Sequence, residues 1–509
     1  MFRFIPPDVE NETFFSLGHS IAKNAARLGE KPAVVIEERE VSWHDFGAMV
    51  ASVAGKLNAQ GIGRGDIVAT LSENSLENVV IYAAVVYAGA CVAPLPISAT
   101  AESLQRMMAD SGAELLFASP AFMETAKGMG APQVLDLSRL FDWAADAEPA
   151  EPADVVPDDL FDIIYSSGTT GLPKGIVHEH RFRSRQLARV IRFGLTEESR
   201  FIISTPVYSN TTLLGLVPTL IFGATLFVMP KFSTLKFLEL SERHKLTHTV
   251  LVPVQYMRLL AEPTFGDHDL SSYVCKISTS APLPRPTIEK AMAHWPGDLI
   301  EVYGMTEGGV SCSLNYRAFP DKWDTVGKPG EGVDIRIIDE TGNQLPQGEF
   351  GELVGRGPSM MPGYHNLPEK TEELIWTSPE GQHFIRSGDM GRIDEDGFIH
   401  LTDRKKDMII SGGFNIYAAD LEAVLMKHPD VTEAAVIAVP SEAWGETPLG
   451  FAVLGTGGDI GAEALRDWAN ERLGKTQRLS EVVILDEMPR SDIGKVLKKD
   501  LRAPYWPDR

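Results

Sequence analysis

What most constrains the fold of this chain is an alternation of two hydrophobic patterns along its first three hundred residues. Windows with helical spacing, such as Trp43 to Gln60 and Glu102 to Ser111, alternate with short apolar runs such as "GDIVAT" and "CVAPLP". This alternation predicts parallel βαβ units, because parallel strands need a long crossover and a helix is the usual one. The acidic, Pro/Ala-rich segment "DAEPAEPADVVPDD" predicts an exposed linker. Between 200 and 300 the alternation resumes in "RFIIST", "ATLFVMP", "HTVLVPV" and "KISTSAPLP", which predict strands of a second α/β layer. From about 325, short strands with turn signals ("DETGNQLPQGEFGELVGRG", "DEDGFIHLTD") predict a mostly β subdomain. After 407 the pattern is compact α+β: helix "AADLEAVLMKH", strand "VTEAAVIAVP", a strand near 449 to 454, helix "GAEALRDWANERL" and strand "EVVILDEMP". A chain of 509 residues exceeds what a single growing core holds, so several domain-sized units are expected.

Composition narrows the partners. With 70 acidic against 47 basic residues the formal charge is −23, a field that repels nucleic acid and anionic membrane surfaces. An anionic ligand must then be held by local cations. Cys91, Cys275 and Cys312 are odd in number and outside any CxxC spacing, which fits a reduced compartment without structural disulfides or zinc. Two prolines and acidic residues in "MFRFIPPDVENETFF" do not fit a secretory signal, so a cytoplasmic location is expected. Val79 to Ala93 is too short to span a bilayer, and Leu213 to Met229 carries Gly215, Pro218 and Gly223 as breaks; both are expected to be buried helix-turn-strand pieces.

Residues 165 to 175 read "YSSGTTGLPKG" after the apolar lead Phe161, Ile163, Ile164 and Tyr165. The spacing fails the Walker A rule, since Gly168 and Gly171 are too close and Gly175 follows Lys174. Gly175 and the β-branched pair Ile176, Val177 predict an extended continuation, not a helix. What remains is a hairpin-like loop, open to two readings: a plain Gly/Ser/Thr turn between strands, or a loop whose backbone N–H groups and Ser166, Ser167, Thr169 and Thr170 hydroxyls can wrap a polyphosphate, with Lys174 adding charge.

That string closely resembles the phosphate-loop signature of the ANL superfamily of adenylate-forming enzymes, which includes acyl-CoA synthetases, and further elements follow in order. "STSAPLP" (278 to 284) is similar to the small-residue loop beside nucleotide and acyl group, with Ala281 leaving room for a ligand. "VYGMTEGG" (302 to 309) is similar to the segment that holds adenine and metal. The resemblance implies that Tyr303 stacks on the base beside Gly304, that Thr306 helps bind phosphate and that Glu307 holds Mg²⁺. "RSGDMG" resembles the element whose aspartate, Asp389, accepts the ribose hydroxyls. "DRKKDMIISGGFNIYAADLE" resembles the interdomain signature, implying that Arg404 contacts ribose and phosphate and that Lys406 is the hinge pivot. In the same way "PRSDIGKVLKKDL" implies that Lys495 binds the carboxylate and the α-phosphate.

The resemblance spans about residues 30 to 501 and implies a large N-terminal domain of layered α/β subdomains plus a β subdomain (1–403), a hinge (404–406) and a small mobile α+β domain (407–509). It implies ATP, Mg²⁺ and coenzyme A as cofactors and a small-molecule carboxylic acid as substrate, with catalysis by Lys495, Glu307 and Lys174. The ATP site would comprise Ser166, Ser167, Gly168, Thr169, Thr170, Gly171, Lys174, Ala281, Tyr303, Gly304, Thr306, Asp389, Arg404 and Lys495. For coenzyme A the implied residues are Gly412, Gly413 and Phe414, with Trp444 and Arg478 as candidates for its nucleotide; the family's Lys-x-Pro appears here as "TQRLS", without the proline. The acyl pocket falls to Tyr208, Ser209, Thr211, Ala281, Gly304 and Gly309, with Ser209 where the family often has histidine in "PLYH". The small polar run suits a medium or long fatty acid or an aryl acid. An adenylation enzyme that loads a carrier protein or acts on an amino acid is the alternative, and the sequence allows a homodimer.

Overall fold

The computed structural model describes residues 14–166, 173–404, 407, 409–411, 414–416, 418–441, 444–474, 477–491 and 494–506. The chain divides into two compact units. The first comprises residues up to Trp323 with Gly327–Ile335 and Gly355–Ile385; the second comprises Asp324–Val326, Arg336–Val354 and the chain from Arg386 onward.

Among the described residues, the first unit contains two large sheets. One has six strands in the order Gln133–Asp136, Leu115–Ala118, Ile67–Leu71, Cys91–Pro94, Leu160–Ser166, Lys174–Glu179, all parallel except the last pair. The other has nine, with Asp298–Gly304, Cys275–Thr279, His248–Leu251, Arg200–Ile203, Thr225–Val228 and Pro32–Ile36 forming its parallel centre. Strands such as Leu115–Ala118 and Thr225–Val228 are buried along their whole length, as parallel strands covered on both faces must be. The predicted alternation is therefore borne out in both layers.

One core joins the sheets. Val68, Val92 and Phe161 of the six-stranded sheet and Val34, Phe201 and Leu226 of the nine-stranded one belong to a single buried cluster with the helices between them. The helix Leu76–Tyr87 is buried apart from half-buried Glu77, is capped by the Ser75 hydroxyl, which accepts from the Asn78 N–H at 3.0 Å, and leads into the strand Cys91–Pro94. The second apolar stretch corrects one expectation. The helix Asn210–Phe222 runs through Gly215 and Pro218 and ends only at Gly223, which lies in the left-handed region. Gly215 leaves room for the Phe201 ring, which an added Cβ would meet at 2.5 Å, and the Thr219 hydroxyl donates to the Gly215 carbonyl at 2.7 Å beside the proline. Among the described residues no helix is long and apolar enough to cross a membrane.

In the second unit, Val431–Ser441 and Gly445–Leu454 form a long antiparallel pair. Ile409–Ser411 and the parallel strand Glu481–Leu485 pair with Gly445–Leu454 in succession, and the helices Ala418–Leu425 and Ala462–Asn470 complete the predicted α+β pattern.

Candidate active site

In a parallel sheet every carboxyl end lies on the same edge, where ligands bind. On that edge of the nine-stranded sheet, Arg200–Ile203, Cys275–Thr279 and Asp298–Gly304 deliver the segments 204–209, 280–284 and 305–309. Three motifs that lie far apart in sequence are thus brought together by topology alone.

The strands Leu160–Ser166 and Lys174–Glu179 are antiparallel, with Ser166 opposite Lys174 and Tyr165 opposite Gly175. The extended continuation predicted from Gly175, Ile176 and Val177 is observed. Ser167, Gly168, Thr169, Thr170 and Gly171 lie outside the described residues. The Lys174 Nζ lies over the Tyr364 ring, 4.9 Å from its centroid. The Tyr364 hydroxyl donates to Glu307 Oε1 at 2.8 Å. One tyrosine therefore ties the predicted phosphate lysine to the predicted metal carboxylate. It is anchored by a bridge to Ile176, and the His365 N–H donates to the Gly175 carbonyl at 2.7 Å. Burial first, and then the Glu307 charge, push the Tyr364 hydroxyl well above its ordinary pKa, so it stays a donor. Sequence reading missed Tyr364, because nothing in "MPGYHN" marks which distant strand it meets.

Tyr303 and Gly304 end the strand Asp298–Gly304, opposite Cys312 and Ser311, with Tyr303 half-buried and Gly304 exposed. Thr306 and Glu307 follow, both half-buried. The turn that presents them is closed by Gly308, whose φ is +77° and where a Cβ would stand 2.0 Å from the Ser359 carbonyl, so only glycine fits. Gly309 is buried with the Gly355 backbone against it. Ser280, a non-glycine residue, also has φ +77°, a strained conformation of the kind found at ligand sites. Its hydroxyl is 2.7 Å from that of Thr211, which brings the predicted acyl residues Thr211 and half-buried Ala281 to the same loop. Tyr208 and Ser209 are buried, and Ser209 caps the helix Asn210–Phe222.

In the second unit, Asp389 is buried on the strand His383–Ile393, directly opposite Arg404. Its N–H donates to the Ser387 hydroxyl at 3.0 Å, which donates to the Leu353 carbonyl at 2.8 Å. Lys495 sits in a tight turn: its carbonyl accepts from the Ser491 N–H at 2.8 Å, its N–H donates to the Ser491 hydroxyl at 3.2 Å, and Gly494 has φ +74°. Arg490 braces the turn by donating to the Gly494 carbonyl at 2.6 Å and pairing with Glu433. Phe414 begins a short strand opposite Ser411, and Ser411 is opposite Gly445. The Ser480 N–H donates to the Pro448 carbonyl on the same strand edge at 2.8 Å. Topology thus gathers Phe414, Trp444 and Arg478 at one end of that edge. Trp444 is 61% exposed, which excludes a core role, and Arg478 is exposed. Lys406, Gly412 and Gly413 lie outside the described residues.

Residues 21–365 match the family model described as AMP-binding enzyme, and residues 420–495 match the AMP-binding enzyme C-terminal domain. The chain is 32% identical over 469 residues to a feruloyl-CoA synthase of Amycolatopsis sp, covering 91% of this chain and 94% of that protein. The chain belongs to the AMP-binding enzyme family. ATP-bound MatB from Rhodopseudomonas palustris superposes on this AMP-binding enzyme with a TM-score of 0.86 at 31% identity, over 96% of this chain and 99% of that one. O-succinylbenzoate coenzyme A synthetase from Bacillus subtilis, in complex with ATP and magnesium ion, gives 0.83 at 28% identity, over 95% and 99%. The expected α/β fold with a smaller C-terminal domain, and membership of the AMP-forming acyl-CoA synthetases of the ANL superfamily, are borne out. It is an AMP-forming carboxylate–CoA ligase that uses ATP, Mg²⁺ and coenzyme A.

The residues of this AMP-binding enzyme suit a nucleotide-borne metal. Among the described residues no group of three or more His, Cys, Asp or Glu side chains could hold a metal alone. Mg²⁺ on a triphosphate needs only one or two protein oxygens, and Glu307, with one oxygen fixed by Tyr364, supplies a carboxylate beside Lys174.

Proposed function

We propose that this enzyme activates an aryl carboxylic acid with ATP, forming the acyl-adenylate, and then transfers the acyl group to the thiol of coenzyme A. The observation that carries the first step is Tyr364 joining Lys174 to Glu307: a cation and a metal-binding carboxylate held together next to the phosphate loop. The acyl side supports a substrate with a neutral tail. Tyr208, Ser209, Thr211, Ala281, Gly304 and Gly309 include no charged side chain that could pair with an ammonium or a second carboxylate. Feruloyl, the acyl group named for one of the related proteins, is aromatic and carries no second carboxylate.

Attack of a carboxylate on the α-phosphate brings two anions together, so the transition state needs positive charge at the new bond and a neutralised pyrophosphate. Lys495 supplies the first, and Lys174 contributes to the second from the loop that grips the β- and γ-phosphates. Glu307 would hold Mg²⁺, which when bound neutralises phosphate charge. The substrate carboxylate is already ionised at pH 7, so no general base is required and alignment does the remaining work. Asp389 and Arg404 hold the ribose, and Tyr303 stacks on the adenine. Thioester formation does not need Lys495. In it the small domain, from about 407, turns about Lys406 and presents Gly412, Gly413 and Phe414 to the pantetheine arm, with Trp444 and Arg478 towards its nucleotide.

An assay of AMP release over a panel of aryl, fatty and amino acids, with and without coenzyme A, tests the proposal. CoA-dependent turnover highest with aryl acids is expected. Preference for a fatty acid would overturn the acid class, and AMP release indifferent to coenzyme A would point to a carrier-protein acceptor.

A further inference from the structure

Beneath the candidate site lies a buried ionic network that the reaction does not directly use. Asp162 and His178 face each other on the paired strands Leu160–Ser166 and Lys174–Glu179, both 0% exposed, and Arg183 on the helix His180–Arg192 is 1% exposed. Asp162 accepts from Arg183 Nε and Nη2, each at 2.9 Å, and from the Tyr82 hydroxyl at 2.7 Å. Burial pushes the Asp162 carboxyl up, but Arg183 and then His178 more than reverse this, so it remains an anion. Arg183 Nη1 continues to the Asn210 side chain at 2.6 Å, in the first turn of the helix that follows Tyr208 and Ser209.

His178 is the member that reaches the nucleotide side. Its Nδ1 lies 2.9 Å from Arg183 Nη2, which can only donate, and 2.7 Å from Asp162 Oδ1, to which the same guanidinium also donates; its Nε2 lies 2.7 Å from the Thr306 carbonyl, 128 residues away in sequence. A carbonyl oxygen can only accept, so Nε2 must carry hydrogen whatever the state of Nδ1. The Phe182 ring stacks on the imidazole, 4.0 Å between centroids, and limits its tilt. The Thr306 carbonyl belongs to the peptide that leads into Glu307. On the other side the Glu307 carbonyl accepts from the Met361 N–H at 2.9 Å, and Tyr364 holds its carboxylate. Buried charges are costly and contribute little net stability when apolar residues could replace them, so their value here lies in geometry.

We propose that His178 is a positioning residue for adenylation: aimed by the Asp162-anchored guanidinium of Arg183 and by the Phe182 ring, its Nε2–H fixes the Thr306 carbonyl and thereby the orientation of Glu307 toward Mg²⁺ and the pyrophosphate leaving group. The inference rests on the role proposed for Glu307. It also explains how the phosphate-loop strands, the start of the acyl helix and the metal-binding turn share one rigid reference through Asp162, Arg183 and Asn210.

The test compares His178→Asn, which cannot reach Thr306, with His178→Gln, whose amide nitrogen can occupy the place of Nε2. In acid-dependent ATP–pyrophosphate exchange, His178→Asn should lower kcat/KM for ATP about tenfold and raise the Mg²⁺ concentration for half-maximal rate, the scale of one lost hydrogen bond to a buried acceptor. Thioester formation from preformed acyl-adenylate should change less than about twofold, because no pyrophosphate departs in that step. His178→Gln should recover most of the exchange activity. Equal losses in the two variants, equal losses in the two half-reactions, or no loss would overturn the inference. Glu307→Gln separates the two readings: if its Mg²⁺ dependence is unchanged, the role of Glu307 fails, whereas an altered Glu307→Gln with an unaffected His178→Asn refutes the positioning role alone. Should His178→Asn not fold, imidazole ¹⁵N spectra of the unsubstituted protein decide. A protonated Nε2 that shifts on adding ATP and Mg²⁺ is expected, and an unprotonated or unmoved one overturns the proposal.

Discussion

Glu307 and Lys495 are held in opposite ways. Glu307 is fixed from afar, through Tyr364 at a separation of 57 residues and through the Thr306 carbonyl by His178 at 128. The backbone of Lys495 is held from close by: Ser491, four residues earlier, bonds its N–H, and the Arg490 guanidinium braces the Gly494 carbonyl, with Glu433 of the same unit tying that brace to the neighbouring strand. On the proposed mechanism this contrast has a reason. A metal-binding carboxylate must keep one geometry, and long-range contacts to buried strands provide it. A lysine needed in only one of two half-reactions can sit in a turn whose ties all lie in its own unit, so that it travels with that unit without losing its shape.

The largest expected effect breaks or confirms that division directly. Lys495→Ala should lower the adenylation rate by roughly 10² to 10³, the scale of one lost electrostatic contact to a transition state, while coenzyme A attack on preformed acyl-adenylate stays largely intact. Single-turnover rates of the two half-reactions check this, and equal loss in both would refute the two-role assignment.

A stability effect probes the rigid side. Glu301, on the strand that leads to Tyr303, is buried with the Tyr316 hydroxyl 3.1 Å away, and burial pushes its pKa from 4.5 to about 8. Because the folded value is the higher one, folding takes up a proton between these pH values. The stabilising contribution is complete below about pH 4.5 and is lost as the pH rises toward 8. Glu301→Gln should therefore flatten the decline in thermal midpoint between pH 5 and pH 8, with a gain on the order of a few kcal/mol at the upper end. Calorimetry at both pH values measures it, and an unchanged slope would show that Glu301 is not held protonated.

The smallest effect sharpens the account of the tie itself. Tyr364→Phe keeps the ring under Lys174 and removes only the hydroxyl to Glu307. A fall of about three- to tenfold in kcat/KM for ATP is expected, corresponding to ~0.5–1.5 kcal/mol. Steady-state kinetics at varied Mg²⁺ would show it. A loss as large as that of Lys495→Ala would mean that the ring and hydroxyl organise far more than one carboxylate oxygen.

Much of the fold was legible because each layer repeats a local signal. Mostly apolar short runs such as "CVAPLP" and "ATLFVMP", separated by helical windows, leave little choice but a covered parallel sheet. The helix Asn210–Phe222 was harder. Gly215 and Pro218 look like breaks from local propensity, but in the fold Gly215 makes room for the Phe201 ring and the Thr219 hydroxyl bonds the Gly215 carbonyl beside the proline. In the site, the turn before Lys495 could be read from Ser491 and Gly494, since its bonds are local. The ties of Tyr364 to Glu307, of His178 to Thr306 and of Arg183 to Asp162 and Asn210 could not, because they reach segments distant in the sequence.

The sequence by itself determined the chemistry: a glycine-rich loop with one lysine, an acidic residue in "VYGMTEGG", a lysine near the C-terminus, and the succession of elements that carries them. Tertiary structure alone decided how the loop lysine and the carboxylate are held. Side-chain type is fixed residue by residue, but the direction in which a carboxylate points depends on which distant donor reaches it. Tyr364 and His178 meet the Thr306–Glu307 segment only after the strand Lys174–Glu179 has taken its place in the sheet.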